Sequence, residues 1–461
     1  MNLRSAYLLN QQNLDALDDE AEPSTPTDAD EYKTVRNLED VISCLSDYDP
    51  EAVPVSQAQD IIRTFVQPIH AIEKVAIRSA LDRVLAADIM SPINVPAHDN
   101  SAMDGYALRG ADLQNEDRVF KIVGKAFAGH AYDGTVGPGE CVRIMTGAVM
   151  PRGCDTVVPQ EFTREASDTH MRLPANAVKA GDNRRLAGED LAIGSVALPK
   201  GRIVRPADLG LMASLGVAEV AVQRRLRVAF FSTGDELRSV GEPLDEGCVY
   251  DSNRYTLYGM LHRLGCDIID MGVVPDNPVT MEAAFRQACE HADAVITSGG
   301  ISVGDADYTR DMMAALGGEV LFWKLGMRPG RPMAFGRITS GGRPAYLFGL
   351  PGNPVAVMVS FYFFVRDALL RMMGASAVAP LPLLKVRSKA NIRKRPGRTE
   401  FQRGILSHAD DDQQEVLLTG AQGSGILRSM AEANCIVVLG HDQGEVKAGD
   451  MVDVILFHGL L

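Results

Sequence analysis

The sequence lacks the features that mark secreted, membrane or disulfide-rich proteins. It has no run of 18 or more apolar residues, so no membrane span is predicted. The first residues soon turn acidic and lack the apolar stretch of a signal peptide. The seven cysteines lie far apart and form no C-x-x-C pair, which argues against a disulfide framework or a thiolate zinc site. We therefore expect a cytoplasmic protein.

Positive charge is also scarce. The formal net charge is −14, and residues 1–51 contribute −10 of it, with 13 acidic and 3 basic side chains. The remainder is close to neutral and has no basic stripe, so duplex nucleic-acid binding has little electrostatic support. Residues 15–30 are rich in Asp, Glu, Pro and Thr, a composition typical of disorder. We assign 1–52 as an acidic extension, with a partner-docking arm as the alternative.

Several common catalytic motifs are missing. The sequence has no Ser-His-Asp order, no catalytic Cys-His pair and no H-E-x-x-H motif, and its nine histidines are scattered. It matches neither the nucleoside-triphosphate P-loop nor the dinucleotide-binding fingerprint. The chemistry must therefore come from other residues, and the domain pattern indicates where they lie.

Residues 225–375 alternate strand, loop and helix four times. This alternation predicts a doubly wound α/β/α domain with a parallel-rich sheet, within a multidomain α/β plus β chain. The other units assigned from the pattern are a discontinuous helical subdomain at 53–92 plus 191–224, a small β insertion domain at 93–190 and a C-terminal β-barrel domain at 376–461. Within the helical subdomain we expect a helix from Ile77 to Leu85.

Acidic residues gather in the loops that follow the strands of this domain. They are Asp235, Glu236, Asp276, Asp305 and Asp307. Parallel sheets of this kind bind ligands at the carboxyl ends of their strands. A single acid in such a loop is commonly a helix cap, but five on one rim favour Mg²⁺ held against a phosphate substrate.

Other loops on the same rim are suited to anions. Residues 298–304 (SGGISVG) resemble a backbone anion cradle, because adjacent glycines let the chain approach a phosphate closely. Lys324, Arg328, Arg331 and Arg343 supply cations, with a solvated basic turn as the alternative. The rigid turn at 349–354 (GLPGNP) leads into a helix, and it also fits a capped turn without a ligand.

Seven motifs together identify a family. They are 99–106 (DNSAMDGY), 143–147 (RIMTG), 185–190 (RLAGED), 232–236 (STGDE), 298–308 (SGGISVGDADY), 329–332 (PGRP) and 349–354 (GLPGNP). In this order they resemble the MoeA family of molybdopterin molybdenumtransferases, which includes the gephyrin E-domain. The resemblance extends from about Ser56 to Phe457.

This resemblance implies a reaction. Members take adenylated molybdopterin and molybdate, cleave the pyrophosphate bond with Mg²⁺, release AMP and place molybdenum on the dithiolene. They are homodimers with the active site between protomers. Transient contacts with the molybdopterin adenylyltransferase and with apo-molybdoenzymes or their chaperones are also expected. Binding to nucleic acid or to a membrane is not expected.

The resemblance and the rim loops together give the expected site residues. The expected catalytic residues are Asp99, Asp190, Glu236, Asp276 and Asp307, of which the last three are expected to hold the metal. The expected substrate-binding residues are Thr146, Ser298, Gly299, Gly300, Lys324, Arg328, Pro351, Pro354, Arg403 and Ser424. One departure is the sequence Arg328-Pro-Gly-Arg331 where the family often has Lys-Pro-Gly-Lys, and arginine offers a planar fork in place of a compact point charge.

Two other functions remain open at this point. The preceding adenylyltransferase shares the sheet domain, but the β insertion and the C-terminal barrel argue against it. A scaffold that keeps the fold but binds partners would need a long linker, and only a short acidic extension is present. Molybdate and tungstate share charge and shape, so the sequence does not distinguish them.

Overall fold

The structure is a computed structural model that describes residues 37–43, 49–300, 313–314, 316–409 and 411–460. Asp305 and Asp307, and most of the predicted acidic extension, lie outside these residues. Within them the chain forms three six-stranded sheets and several two-stranded ones.

The sheet of the α/β/α domain is parallel-rich, as predicted. Its strands, in spatial order, are Asp267–Val274, Arg227–Thr233, Ala294–Ser298, Arg343–Leu350, Pro332–Ser340 and Glu319–Lys324. The first four run parallel, and Pro332–Ser340 runs antiparallel to both of its neighbours. Glu319–Lys324 is the edge strand on the antiparallel side.

Helices cover both faces of this sheet. They are Ser252–Arg263, Pro278–His291 and Pro354–Ser360, the last continuing through a π-helical turn at Phe361–Val365 into Arg366–Met372. Alternate strand residues face opposite layers. Val228 and Phe230 are buried with Leu257, whereas Phe231 is buried with Phe285 of the opposite layer. This alternation, with a period of two, gives the doubly wound arrangement.

The β insertion is confirmed as a sheet domain. Its strands, in spatial order, are Thr156–Pro159, Gly105–Leu108, Glu140–Ile144, Arg118–Ala126, His170–Leu173 and Arg164–Ser167. Short 3₁₀ turns at Gly110–Asp112 and Gln160–Phe162 connect them. Asn100–Ser101 pairs with Arg184–Arg185 at one end of the insertion.

The segments flanking the insertion contain more strand than the sequence pattern indicates. Ile72–Ala76 pairs with Glu219–Gln223, and Ile89–Met90 pairs with Val196–Leu198, beside the helix Pro206–Ser214. A helix was expected from Ile77 to Leu85, but only the 3₁₀ turn Ile77–Ala80 forms. The apolar residues of this segment have helical spacing, but Val84 and Leu85 form β-bridges to residues distant in the chain, and these tertiary contacts override the local preference.

The helix Val55–Phe65 packs on the α/β/α domain. Its buried face includes Ile61, Ile62 and Phe65, and the Phe65 ring lies 5.8 Å from that of Phe335 in an edge-to-face arrangement. A second short helix, Leu38–Ser43, packs beside it. These contacts place the start of the described chain against the edge of the parallel-rich sheet.

The C-terminal domain is the predicted β-barrel. Five strands close on themselves in the order Thr399–His408, Gln414–Leu418, Leu384–Ser388, Met451–Leu456 and Cys435–Leu439, because the last pairs with the first. Met327–Arg328 adds a short parallel strand beside Thr399–His408 and so ties the barrel to the α/β/α domain. The helix Leu427–Glu432 covers one side. None of the helices in the described chain has the length and apolar character needed to cross a membrane.

Candidate active site

A cleft of about 730 Å³ lies where the α/β/α domain meets the barrel. It opens at the carboxyl ends of three parallel strands, Arg227–Thr233, Ala294–Ser298 and Arg343–Leu350, as this type of sheet predicts. The lining residues on which the following description depends are Thr233, Glu236, Asn253, Asp276, Ser298, Gly299, Gly300, Arg328, Arg331, Pro351, Arg398, Gln422 and Ser424.

Two expected carboxylates, Glu236 and Asp276, lie on the exposed rim of this cleft. The Glu236 carboxylate lies over Gly234, where a Cβ would come within 2.6 Å of Glu236 Oε2. The Asp276 N–H donates to Asp235 Oδ1 at 3.4 Å. No group of three or more His, Cys, Asp or Glu side chains among the described residues has metal-binding geometry. Two carboxylates therefore line the described cleft, with the Asp235 carboxylate beside Asp276 and outside the lining, and Asp307 lies outside the described residues.

The cleft floor is held together by Asn253, which the sequence did not indicate. Its Nδ2 donates to Ser298 Oγ and to the Gly352 carbonyl, both at 2.7 Å. Asn253 therefore joins the loops after two parallel strands. The sequence does show a polar residue in the first turn of a helix that follows a strand. A polar residue at that position usually caps the helix, so it did not indicate a role in the cleft. Asp251, the cap of this helix, accepts from the Arg254 N–H at 3.2 Å.

The two glycines after Ser298 are required by the backbone and by the space around it. Gly299 has φ +92° and Gly300 has φ +67°. A Cβ at Gly299 would come within 2.3 Å of the Thr233 carbonyl oxygen. Only glycine accommodates both restrictions, and both glycines line the cleft.

The opposite wall is cationic. Arg328, Arg331 and Arg398 line it, and Arg398 Nε donates to Glu400 at 2.9 Å. Arg328 and Arg331 are exposed, and neither forms an ion pair with a described residue. Arg331 and Arg398 were not among the expected binding residues. Two unneutralised arginines facing two carboxylates suit a ligand that carries both phosphate and metal.

A second cavity of about 220 Å³ adjoins the cleft and shares Arg328 and Gln422 with it. Arg393 and the buried Arg403 also line this cavity. Arg403 Nε donates to Ser429 Oγ at 2.9 Å, and Nη2 donates to the Gly423 carbonyl at 2.9 Å. Burial, and then the charge of Arg328, lower the pKa of Arg403 to about 10. An anion in this cavity would relieve that unfavourable charge.

Three expected residues do not line the cleft of their own chain but lie in or beside the insertion. Asp99 accepts from the Ala187 N–H at 2.8 Å and from Arg184 Nε at 3.0 Å, and these interactions, in that order, lower its pKa. Thr146 donates from both N and Oγ1 to Asp104 at 2.7 Å. The Asp190 N–H donates to the Val95 carbonyl at 3.1 Å.

The other expected residues lie at or near the cleft. Pro351 and Ser424 line it, and the Ser424 carbonyl accepts from the Val355 N–H at 3.0 Å, beside Pro354 at the helix start. Lys324 forms an ion pair with Glu51 and does not line the cleft.

The chain matches three family descriptions that follow one another. Residues 53–216 match the MoeA N-terminal region (domain I and II), 229–371 match a probable molybdopterin binding domain, and 385–457 match the MoeA C-terminal region (domain IV). Together they span most of the chain.

Curated relatives extend over nearly the same length. The chain is 42% identical over 392 residues to a molybdopterin molybdenumtransferase of Haemophilus influenzae, covering 84% of this chain and 95% of the relative. A relative of the same description from Nostoc is 36% identical, covering 83% and 88% of the two chains.

A solved structure has the same overall fold. The molybdopterin biosynthesis MoeA protein of Pyrococcus horikoshii superposes with a TM-score of 0.74 at 27% identity, covering 88% of this chain and 100% of that one. With the cleft at the expected edge of the sheet and the sequence matches across all folded units, the chain belongs to the molybdopterin molybdenumtransferase (MoeA) family, whose enzymes act in molybdenum cofactor biosynthesis.

Proposed function

We propose that this chain transfers molybdenum from molybdate to adenylated molybdopterin and releases AMP. The observation that carries the proposal is the pair of adjoining cavities that share Arg328, with Glu236 and Asp276 on the rim of the larger one. The larger cavity suits an elongated pyrophosphate-linked substrate, and the smaller one suits a compact oxyanion. When molybdenum bonds to the two dithiolene sulfurs, one molybdate oxygen leaves as water with the two thiol protons. Cleavage of the pyrophosphate linkage uses one water and gives AMP and a phosphate monoester.

The rim residues fit a magnesium ion. Magnesium in phosphate-handling sites is commonly bound by one or two carboxylates together with substrate phosphates and waters. Glu236 and Asp276 supply two carboxylates at the edge of the cationic cleft, so they would hold the ion, with Asp307 as a third proposed ligand. When bound, the metal supplies Lewis-acid neutralisation of phosphate charge.

The side chains of the chain itself orient the anions. Arg328 and Arg331 offer forked guanidinium donors to the pyrophosphate. Gly299 and Gly300 have no side chains, so a phosphate can come close to their backbone. In the smaller cavity Arg403, Arg328 and Arg393 outnumber the one lining carboxylate, Glu400, which is itself paired with Arg398, so the net positive charge would attract molybdate. Because Arg328 borders both cavities, it holds the two anions next to each other.

We also propose a homodimer with a shared active site. Asp99, Thr146 and Asp190 lie in or beside the insertion and do not line the cleft of their own chain, so a two-fold partner would bring them to it. Transient contacts with the adenylyltransferase and with apo-molybdoenzymes or their chaperones fit a product passed directly between proteins.

A reducing cytoplasm is the proposed compartment. The six described cysteines form no disulfide, and burial raises the pKa of Cys141 and Cys266 to about 12, so neither thiol is ionised at neutral pH. This state of the cysteines supports the proposed location.

The test is a turnover assay with the purified chain and adenylated molybdopterin. We expect AMP release that requires both Mg²⁺ and molybdate, measured by chromatography. Tungstate in place of molybdate tests the choice of oxyanion. A folded chain that releases no AMP under any of these conditions would contradict the proposal, as would consumption of ATP with unadenylated molybdopterin, which would indicate the adenylyltransferase.

A further inference from the structure

The edge strand Glu319–Lys324 is covered by the chain segment that precedes the helix Val55–Phe65. The Lys324 N–H donates to the Pro50 carbonyl at 2.8 Å, and the Val53 N–H donates back to the Lys324 carbonyl at 3.2 Å. Val53 also forms a parallel bridge with Leu325. Free strand edges invite pairing with other chains, and here residues 49–53 occupy part of the edge.

Side chains reinforce this backbone pairing at both ends of the strand. At one end Glu51 forms an ion pair with Lys324. At the other, the Leu38 N–H donates to Glu319 Oε2 at 3.1 Å, and Leu38 and Val41 are buried in the domain core. The segment is therefore attached at two points along a single edge strand.

The covered strand leads directly into the cationic loop of the cleft. The Gly326 N–H donates to the Val53 carbonyl at 2.8 Å, and the Leu325 N–H donates to the Arg331 carbonyl at 2.6 Å. On its other side the loop is held by the barrel, since the Thr399 N–H donates to the Gly326 carbonyl at 2.9 Å. Residues 49–53 are thus one of two supports for the loop that carries Arg328 and Arg331.

Most of this segment lies before the matched family region, which begins at residue 53. The proposed function gives it no role. The ion pair also changes the expected role of Lys324, because Glu51 neutralises its charge outside the cleft.

We propose that residues 37–43 and 49–53 brace the anion-binding loop 325–331, and that Glu51 is a positioning residue for Arg328 and Arg331. This inference rests on the proposed function only in that these two arginines bind the anionic substrate. The support offered to the loop is a property of the fold and is measured without turnover.

The test compares Glu51→Lys, the charge swap Glu51→Lys with Lys324→Glu, and the control Glu116→Lys in the full chain. Glu116 is exposed in the β insertion, so the control makes the same charge change away from both the loop and the brace. The swap keeps the net charge of the parent chain. Hydrogen exchange of peptides covering 324–331 reports the loop, and calorimetry with inorganic pyrophosphate reports anion binding.

We expect Glu51→Lys to speed exchange at 324–331 by about two- to fivefold, the range of one exposed ion pair, and the swap to restore the parent rate. Glu51→Lys should also weaken pyrophosphate binding, although its added positive charge would by itself strengthen it. Weaker binding therefore reports loop order and not electrostatic attraction. Glu116→Lys should leave exchange at 324–331 unchanged.

Leu38→Asp gives a stronger, independent perturbation, because it places a charge in the core and releases the helix. We expect faster exchange at 324–331 as well as at 37–53. Unchanged exchange at 324–331 in both Glu51→Lys and Leu38→Asp would overturn the brace, and unchanged pyrophosphate affinity despite faster exchange would overturn the positioning role. Faster exchange in a chain that releases no AMP would leave the brace standing and contradict only the proposed function.

Discussion

Replacing Arg403 by Met should change the stability of the barrel only modestly and should strongly weaken the proposed binding of an oxyanion in the smaller cavity. Arg403 is 1% exposed and forms no ion pair with a described carboxylate. Its guanidinium instead donates to Ser429 Oγ and to the backbone carbonyls of residues 421–423. A buried cation without a counter-ion is unfavourable, unless an anion that is present only during function supplies one.

The two effects on stability oppose each other. Burial lowers the pKa of Arg403 to about 10, which corresponds to a free-energy penalty of roughly 3 kcal/mol on the charged side chain. Replacement by the neutral Met removes this penalty. Met also loses two hydrogen bonds of 2.9 Å from a charged donor, at about 1.5–3 kcal/mol each. The free energy of unfolding should therefore fall by no more than about 3 kcal/mol. Molybdate affinity should fall roughly 10- to 100-fold, because a buried, charge-assisted donor that lines the smaller cavity is lost.

Urea denaturation measures the first quantity, and calorimetric titration with molybdate and with AMP measures the second. The matched control is Arg428→Met, since Arg428 is 87% exposed and pairs only within its own helix. The control should leave both ligands unaffected. Equal weakening of AMP and molybdate by Arg403→Met, or no weakening of either, would refute the assignment of the smaller cavity to the oxyanion.

Three further predictions follow from other parts of the molecule. Gly299→Ala should weaken pyrophosphate binding at least about tenfold in calorimetry. The control Gly181→Ala has the same φ of +92° but open space around the added Cβ, and it should not weaken binding. Equal effects would show that backbone strain alone is responsible. Asp208→Asn should cost about 2 kcal/mol at pH 7, because Arg202 donates to Asp208 at 2.7 Å and lowers its pKa. Because the pKa is lowered in the folded state, Asp208 of the unfolded parent chain takes up a proton first, and the cost should shrink as the pH falls below about 4. A cost that is equal at pH 7 and pH 3 in denaturation experiments would contradict the pairing. Inactive Asp99→Ala and Glu236→Ala chains should regain partial AMP release when refolded together, and verified heterodimers without recovery would show that each site lies within one chain.

The sequence predicted the parallel-rich sheet well because its signals are local. The parallel strands, such as Arg227–Thr233, are short apolar runs followed by turn residues, and two of the helices begin with a side-chain cap, Asp251 or Asn277. The expected helix at 77–85 failed for the opposite reason. Its apolar spacing fits a helix, but Val84 and Leu85 pair with Ile203 and Val222, more than 100 residues away.

The sequence predicted site residues that lie in loops of distinctive composition. It did not predict residues whose role depends on contacts with residues distant in the chain. Glu236, Asp276, Ser298 and the two glycines could be placed on one rim because parallel strands end at the same edge. Asn253 was missed because nothing in its local sequence shows that its amide joins two loops. Lys324 was expected to face the ligand, but whether a cation is free depends on a partner, here Glu51, that is distant in sequence.

The central claim is that the rim carboxylates act in the chemistry, and Glu236→Gln tests it most directly. The substitution keeps the size of an exposed side chain and removes its charge, so the fold and metal-free AMP binding should stay as in the parent chain. With adenylated molybdopterin, Mg²⁺ and molybdate, AMP release should fall at least about 100-fold, because one of the proposed metal ligands loses its charge. Release at the parent rate, from a variant shown to be folded, would contradict the account of this cleft as the active site.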